Sequence, residues 1–279
     1  MAQFDVDIEK HAPELYDVEF TADALDGWNA VDDQQLAKFH RDGFMAIDNV
    51  FSMQQVQDAI DALAYLIEGK NPRFDNLVFE GKVRGSLGVL TAAQRAQAVR
   101  KLIDFVDFDL RLKAMADDPH LRDIVARIIG TDHELLQEMA LLKMPGGREK
   151  PWHQDRAYFN VPLTSPIIGV WIALDRASLE NGCMHVLGGA HNDGPVIHFK
   201  RRDWQICDTD MLGRRCTAVP LKPGGVMFFD SLLPHGTPYN ATSQNRRALQ
   251  FHYVPSDAPR ITDEQRKEAF GSEGKNVSC

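Results

Sequence analysis

The sequence predicts an α+β fold, a helical first half followed by a β-rich second half, and two observations support this. Between residues 31 and 130, apolar residues recur at helical spacing behind capping signals. From 134 to 255 the chain instead has short strand-like runs separated by Gly-Gly pairs. About eight short strands at close spacing are typical of a sandwich or a double-sheet jelly roll, with the helices expected to cover one face.

Capping boxes and glycine stops divide the first half into helices. Ser52 opens a capping box ahead of an apolar run at helical spacing that ends at Gly69. A second capping box at Thr91 predicts a helix that continues to Val106. An Asp-Pro start and a glycine stop predict a further helix over 118–130.

Turn signals divide the second half, the predicted jelly-roll core at 134–255, into strands. The predicted strands are 135–143, 151–159, 167–175, 183–187, 195–199, 217–221, 225–229 and 247–254. Residues 1–30 have little periodicity and are expected to form an acidic N-terminal arm, which packs through Phe20 and Trp28 or stays loose. Residues 31–279 are then expected to form one domain.

Composition and charge argue against nucleic-acid and membrane partners. The net charge is −9, from 31 basic and 40 acidic residues, whereas a nucleic-acid partner requires a basic surface. No apolar run approaches the roughly 20 residues that span a bilayer. The acidic start of the chain lacks the apolar core of a signal peptide. These features predict a cytoplasmic protein with no nucleic-acid partner and no membrane span.

Three His-x-Asp pairs, which begin at His40, His153 and His191, are candidates for a metal site. The pair at His40 lies at the end of an amphipathic helix, where residues two apart point in nearly opposite directions. The pair at His191 lies in a glycine-rich turn without regular strand geometry. Only His153 and Asp155 lie in a strand-like stretch, where residues two apart share a face and can reach one metal ion.

A third ligand is needed, and His235 is the best candidate. It follows a buried apolar strand and a short turn, so it would lie near the first pair if the two strands are neighbours. His252 on the last strand is the rival, and His185 and His198 are expected to be structural. Two histidines and one carboxylate with open coordination positions are typical of non-haem iron(II) oxygenases.

A second pattern concerns the co-substrate. Iron takes about six ligands, so three protein ligands leave room for a chelating 2-oxo acid and O₂. The far carboxylate of 2-oxoglutarate would then need a buried arginine, whose planar fork binds a carboxylate through two hydrogen bonds. Arg246 and Arg247 start the last strand and face opposite ways, and spacing alone does not choose between them.

Several motifs together resemble the phytanoyl-CoA dioxygenase family over about 135–255. In order along the chain they are HQD at 153–155, the strand with Trp171, NGC at 181–183, GGAH at 188–191, LPHGT at 233–237 and RRA at 246–248. The 34–68 stretch, with HRDGFMAIDNVFS, also resembles the usual start of that family.

The resemblance implies a double-stranded β-helix (a cupin-like jelly roll) with Fe(II) held by His153, Asp155 and His235. It also implies that Arg246 anchors the distal carboxylate of 2-oxoglutarate. The residues implied to assist there or to line the co-substrate pocket are Thr237, Trp171, Gln154 and Met139. The implied reaction uses O₂ to hydroxylate, or otherwise oxidise at C–H, a small organic substrate. It releases succinate and CO₂, and ascorbate is a usual assay additive.

Substrate recognition is expected near the metal pair. Arg156, Tyr158 and Phe159 follow it and are predicted to face the pocket mouth. The 70–90 loop and the 200–215 insert could act as lids. Several of their residues are basic in an acidic protein, which gives a weak indication of an anionic substrate. A solvated loop face is the alternative interpretation, and it is the more common reason for such residues. The basic or aromatic residues concerned are Arg73, Arg84, Arg201, Arg202, Trp204, Arg214 and Arg215.

Two other classes of function stay open at this point. One is a zinc or manganese enzyme on a cupin-like barrel, which a fourth protein ligand such as His252 would favour. The other is a non-catalytic β-sandwich binding module whose histidines are packing residues.

Overall fold

A computed structural model describes residues 2–5 and 10–271 as two β-sheets that face each other, with helices against the larger one. The α-helices within this range are α1 (Asp33–Asp42), α2 (Met53–Ile67), α3 (Ala92–Gln97), α4 (Leu110–Ala116), α5 (Pro119–Ile129), α6 (Asp208–Met211) and α7 (Asp263–Phe270). None of them has the length and apolarity needed to cross a membrane.

Sixteen strands are found in the same range. They are β1 (Gln3–Phe4), β2 (Val18–Thr21), β3 (Leu25–Asp26), β4 (Phe44–Asp48), β5 (Leu77–Phe79), β6 (Val99–Ile103), β7 (His133–Lys143), β8 (Lys150–His153), β9 (Ile168–Ala173), β10 (Met184–Val186), β11 (His198–Lys200), β12 (Trp204–Ile206), β13 (Cys216–Val219), β14 (Val226–Asp230), β15 (His235–Thr237) and β16 (Arg246–Pro255).

The strands form a nine-stranded sheet in the order β1-β5-β6-β7-β16-β9-β14-β4-β3 and a five-stranded sheet in the order β2-β13-β10-β15-β8. A two-stranded ribbon, β11-β12, lies outside them. Pairing is antiparallel except for β1 with β5, β3 with β4 and β2 with β13. Such a two-sheet arrangement is the one the strand spacing predicted.

Alternation along the central strands divides the apolar core into two layers. On β9, Val170 and Ile172 point to the layer shared with α2, α4 and α5. Trp171 and Ala173 on the same strand point the other way, into the layer between the two sheets. The helices therefore cover the outer face of the large sheet, and the inner face is left to build a site.

The cap signals are confirmed locally. The side chain of Ser52 accepts a hydrogen bond from the backbone N–H of Gln55, and the Gln55 side chain bonds back, so α2 begins with a capping box. Helix α5 begins with Pro119 and ends at Gly130, which has φ of 80°.

Three expectations for the first half were wrong or incomplete. The helix predicted from Thr91 to Val106 ends at Gln97, because β6 follows and pairs with β7 in the large sheet. Strand β4 likewise interrupts the helical half, and the 70–90 loop contains β5. Pairing with distant strands outweighs local helical spacing in these segments.

The N-terminal segment is built into both sheets. Strand β2 extends the five-stranded sheet through β13, and β3 pairs with β4 at the edge of the large sheet. Trp28 packs against the core, whereas Phe20 is exposed. The predicted division into an arm over 1–30 and a domain over 31–279 stays a prediction.

Candidate metal and co-substrate site

The three predicted metal ligands meet in the space between the two sheets. Their ligand atoms all lie within 4.8 Å of one another. The Oδ1 atom of Asp155 lies 3.1 Å from Nε2 of His153 and 3.6 Å from Nε2 of His235. All three side chains are buried, so the structure brings together the set that the sequence predicted.

Strand pairing places the two imidazoles side by side. His153 ends β8 and is the cross-strand partner of His235 on β15. The predicted strand 151–159 stops there, since Asp155 starts a short 3₁₀ helix. Gln154 between them is still extended, with φ of −110° and ψ of 127°, so Asp155 keeps the same-side relation to His153 that a strand would give.

Backbone carbonyls fix which imidazole nitrogen faces the centre. Nδ1 of His153 lies 2.8 Å from the carbonyl oxygen of Pro151, and Nδ1 of His235 lies 2.9 Å from that of Leu233. Each Nδ1–H therefore donates to a carbonyl, which leaves the Nε2 lone pair free. Hydrogen bonds of this kind orient the histidine ligands of metal sites.

The carboxylate of Asp155 is held from the opposite sheet. Its Oδ2 atom accepts a hydrogen bond from Gln250 Nε2 at 2.8 Å and lies 2.8 Å from His252 Nε2. Oδ1 is thereby left to face the imidazoles. Because His252 is engaged with this carboxylate, it supports a ligand and does not provide a fourth one.

Electrostatics set the protonation states a divalent cation needs. Burial, with neighbouring His235 and Lys150, lowers the pKa of His153 to about 3. Burial also lowers the pKa of His235. Burial would raise the pKa of Asp155, but the facing imidazoles and their hydrogen bonds hold it well below its usual range. At neutral pH the site presents two neutral imidazoles and one carboxylate.

An internal cavity extends from this triad to Arg246 and is also lined by Met139, Trp171 and Thr237. The guanidinium of Arg246 is buried and lies over the Trp171 ring, 5.3 Å from its centroid. Its Nε and Nη1 atoms have no hydrogen-bond partner among the described residues. A buried guanidinium with free donors is a site for a carboxylate.

Arg246 and Arg247 are adjacent on β16, so their side chains point to opposite faces of the sheet. Arg246 points into the cavity, whereas Arg247 forms a bidentate pair with Asp175 at 2.8 Å. Burial, with nearby Arg100, lowers the pKa of Arg246 to about 10.

Two residues predicted at the pocket lie outside it. The side-chain amide of Gln154 donates to the carbonyls of Gly194 and Leu232 and accepts from the N–H of Val196, so it holds two loops together. Its predicted contact with the co-substrate therefore finds no support. Arg156 is also turned away and donates to the carbonyl of Pro162.

The sequence profile of the phytanoyl-CoA dioxygenase (PhyH) family matches residues 39–248, which include the triad and Arg246. The chain belongs to the phytanoyl-CoA dioxygenase family.

Individual members agree with this assignment. "Phytanoyl-CoA dioxygenase domain-containing protein 1" of Danio rerio is 29% identical over 154 residues, 52% of this chain and 53% of that protein. Its homolog in Caenorhabditis briggsae is 26% identical over 258 residues, 77% of this chain and 88% of that protein.

The crystal structure of EvdO2 from Micromonospora carbonacea var. aurantiaca, complexed with 2-oxoglutarate, has the same fold. The TM-score is 0.62 at 26% identity, and the match covers 86% of this chain and 97% of that chain. The predicted fold class, an α+β protein with a cupin-like double-stranded β-helix and helices on the major sheet, is confirmed.

Several residues that line the cavity of this phytanoyl-CoA dioxygenase family member were not predicted from its sequence. Gln250 and Lys143 line the cavity, on strands whose alternation could have identified them from Arg246 and Met139. Arg100, Lys101 and Lys150 also line it. The basic side chains of the cavity thus come from the strands β6, β7, β8 and β16, and not from the loops that the sequence suggested.

The predicted lid arginines are largely engaged elsewhere. Arg202 pairs with Glu149 and Asp208, and Arg84 lies 5.2 Å from the ring centroid of Phe4. Tyr158 and Phe159 do line the cavity, and the Tyr158 hydroxyl donates to the carbonyl of Trp204 at 2.7 Å.

Proposed function

We propose that this protein is an Fe(II)- and 2-oxoglutarate-dependent dioxygenase that hydroxylates, or otherwise oxidises at C–H, a small organic substrate and releases succinate and CO₂. The observation that carries the proposal is a buried His-Asp-His set that shares one cavity with the buried guanidinium of Arg246, whose Nε and Nη1 atoms have no partner among the described residues. Family membership and the likeness to a 2-oxoglutarate complex support it.

The residues present fit both groups. Two imidazole nitrogens and one carboxylate oxygen are the donor set of non-haem iron(II) sites, and the Nε2 lone pairs of His153 and His235 are free to bind. The free Nε and Nη1 donors of Arg246 fit the distal carboxylate of 2-oxoglutarate, with Thr237 beside them.

Bound iron would supply the reaction of O₂ with 2-oxoglutarate that oxidises the substrate, and the chain positions the reactants. Asp155, His153 and His235 would hold the metal, and Gln250 and His252 hold the Asp155 carboxylate in place. Burial of these groups restricts water near the reacting atoms.

The substrate is expected to be anionic. Five basic side chains line the cavity, whereas Asp155 is the acidic residue in its lining. The basic residues are Arg100, Lys101, Lys143, Lys150 and Arg246. Asp203 pairs with Lys150 at 2.8 Å, and Asp5 and Glu80 pair with Arg100, which offsets part of this charge. Tyr158 and Phe159 would contact the substrate near the metal.

The test is succinate formation from 2-oxoglutarate, measured with Fe(II), O₂ and ascorbate over a panel of small metabolites and matched neutral analogues. We expect Fe(II)-dependent, substrate-stimulated succinate release that is lost in His153→Ala. Substitution of the exposed His120 on α5 by Ala is the matched control and should retain activity. Absence of Fe(II) and 2-oxoglutarate binding by the wild-type protein would overturn the proposal.

A further inference from the structure

Lys143 is a buried lysine beside the arginine of the cavity. It ends β7 and is the cross-strand partner of Arg246 on β16. Only 4% of its surface is exposed, and it lines the same cavity. Among the residues that the structure describes, no ion pair joins either cation to a carboxylate within 4.0 Å.

The hydrogen bonds of Lys143 all lead to the end of β15. Its Nζ donates to the carbonyl oxygen of Thr237 at 2.9 Å, to the Thr237 hydroxyl at 2.7 Å and to the carbonyl oxygen of Pro238. A lysine ammonium has three protons and no acceptor, so these three bonds use all of its donors.

The charged form of Lys143 would determine the direction of the Thr237 proton. An ammonium can only donate, so in that form the Thr237 oxygen accepts, and its own proton is free to donate elsewhere. Thr237 lines the cavity with Arg246, and no bond donated by its hydroxyl is found within the described residues. A carboxylate placed at Arg246 would provide the acceptor.

Without a bound anion, the surroundings of Lys143 disfavour its ammonium form. Burial lowers its pKa well below the usual value, and Arg246, Arg100 and Arg148 lower it further, against the attraction of Glu149. A carboxylate bound at Arg246 would offset this repulsion and stabilise the ammonium form. An anion bound at Arg246 would therefore favour the form of Lys143 that directs the Thr237 proton into the cavity.

We propose that Lys143 is a positioning residue for the co-substrate: its ammonium directs the Thr237 hydroxyl proton into the cavity, so that Thr237 and Arg246 together bind the distal carboxylate of 2-oxoglutarate. This inference rests on the proposed function. It adds to it a residue that acts through Thr237 and whose side-chain hydrogen bonds, within the described residues, do not reach the metal ligands.

The experiment is a double-mutant cycle on the affinity for 2-oxoglutarate, titrated anaerobically into the Fe(II)-loaded protein. Lys143→Met and Thr237→Val should each weaken binding by about 10- to 100-fold, the range for a hydrogen bond to a charged group. The double variant should bind no more weakly than the weaker single variant, because both changes remove one shared interaction. Fe(II) affinity should stay within about threefold of wild type.

Lys101 provides the matched control, since it lines the same cavity but makes no contact with Thr237. Lys101→Met combined with Thr237→Val should give additive losses. Lys143→Gln, checked with Lys143→Met by circular dichroism and thermal unfolding, is the second variant if methionine prevents folding. A general structural role of Lys143 would lower Fe(II) affinity and 2-oxoglutarate affinity together.

Two results would overturn the inference while leaving the proposed function intact. One is wild-type affinity for 2-oxoglutarate in a folded Lys143 variant. The other is full additivity of the Lys143 and Thr237 losses. Failure of the wild-type protein to bind 2-oxoglutarate with Fe(II) would instead contradict the proposed function itself.

Discussion

At the scale of single residues, two adjacent arginines on β16 allow a direct comparison of a cavity residue with a residue outside the cavity. Arg246 points into the cavity with free donors, and Arg247 pairs with Asp175 on the other side of the strand. Arg246→Met should raise the Kd for 2-oxoglutarate at least about 30-fold, because removal of one partner of a buried charged pair costs roughly 2 kcal/mol or more. Calorimetric titration of the Fe(II)-loaded protein under anaerobic conditions measures this.

Arg247→Met is the control and should change that Kd less than about threefold, since a partly exposed ion pair contributes little. The Arg246 variant should not unfold at a lower temperature without ligands, because it removes an unpaired buried charge. Equal weakening by both variants would show that the carboxylate binds elsewhere.

The carboxylate of Asp155 has its own test. Gln250 and His252 both bond to its Oδ2 atom. His252→Leu should lower Fe(II) affinity about 10- to 100-fold, the usual effect of losing a residue that orients a metal ligand. Competition with a chromophoric chelator gives the affinity, and His252→Gln, which keeps an N–H donor, should recover part of it. Unchanged affinity in His252→Leu would mean that Oδ1 is oriented without this bond.

The residues that could be predicted are those with a short-range signature. His153 and Asp155 lie two apart in extended chain, and Arg246 was implied by the family's motifs. Gln154 was misplaced because adjacency to two ligands does not determine where its amide bonds, which depends on distant backbone atoms at 194–196 and 232. Lys143 was overlooked because it lies in the motif-free strand β7.

At the scale of elements, the same distinction explains the errors in secondary structure. The capping box at Thr91 was correct, yet the helix stops six residues later and β6 begins. Residues 99–103 gain partners from β7 and β5, which are remote in sequence. Helix caps depend on neighbouring residues and can be predicted from the sequence, whereas strand pairing depends on which distant segments meet in space.

The pairing of β9 with β14 leads to a prediction at this scale. Gly169 on β9 is the cross-strand partner of Phe229 and of His252, and a Cβ at 169 would overlap the Phe229 ring. That ring packs 4.9 Å from the His235 ring and 6.3 Å from the His252 ring, centroid to centroid. Gly169→Ala should therefore displace Phe229 and lower the free energy of unfolding by about 1–3 kcal/mol.

Urea unfolding of the metal-free protein measures this loss of stability. Fe(II) affinity should also fall, because the Phe229 ring packs against the His235 ring. Gly88→Ala is the control, since a Cβ at 88 has no atom within 4 Å. A stable Gly169→Ala variant with normal Fe(II) affinity would show that the ring can shift without disturbing the triad.

At the scale of the whole molecule, the site depends on two sheets held face to face. His153 and His235 come from the small sheet, and the groups that orient Asp155 come from the large one. The sequence could predict a two-sheet fold from strand spacing. It could not predict that Gln250 and His252 face Asp155 across the interior, because that relation is set by the packing of the sheets.

Buried neutral histidines make this assembly sensitive to acid. Burial lowers the pKa values of His185 and His198 to about 4, from an ordinary value of 6.5. Between these values the unfolded chain binds more protons than the folded one, so the free energy of unfolding falls as pH decreases. These two residues alone should remove about 3 kcal/mol between pH 6.5 and pH 5, and the lowered pKa of His153 acts in the same direction. The lowered pKa of Asp155 adds to the loss only as the pH approaches the ordinary carboxyl value of 3.8.

His198 connects this loss to the metal site. Its Nδ1 lies 2.7 Å from the Val196 carbonyl, and its Nε2 accepts the backbone N–H of Gln154 at 3.0 Å, between the two ligands of the HQD motif. Protonation of Nε2 would break that bond. Urea unfolding of the metal-free protein at several pH values should show the decline, and His198→Gln, whose side-chain oxygen can still accept, should make the decline shallower. A stability that is level from pH 6.5 to pH 5 would mean that these histidines reach water, and that the two sheets are packed less tightly around the triad than their burial indicates.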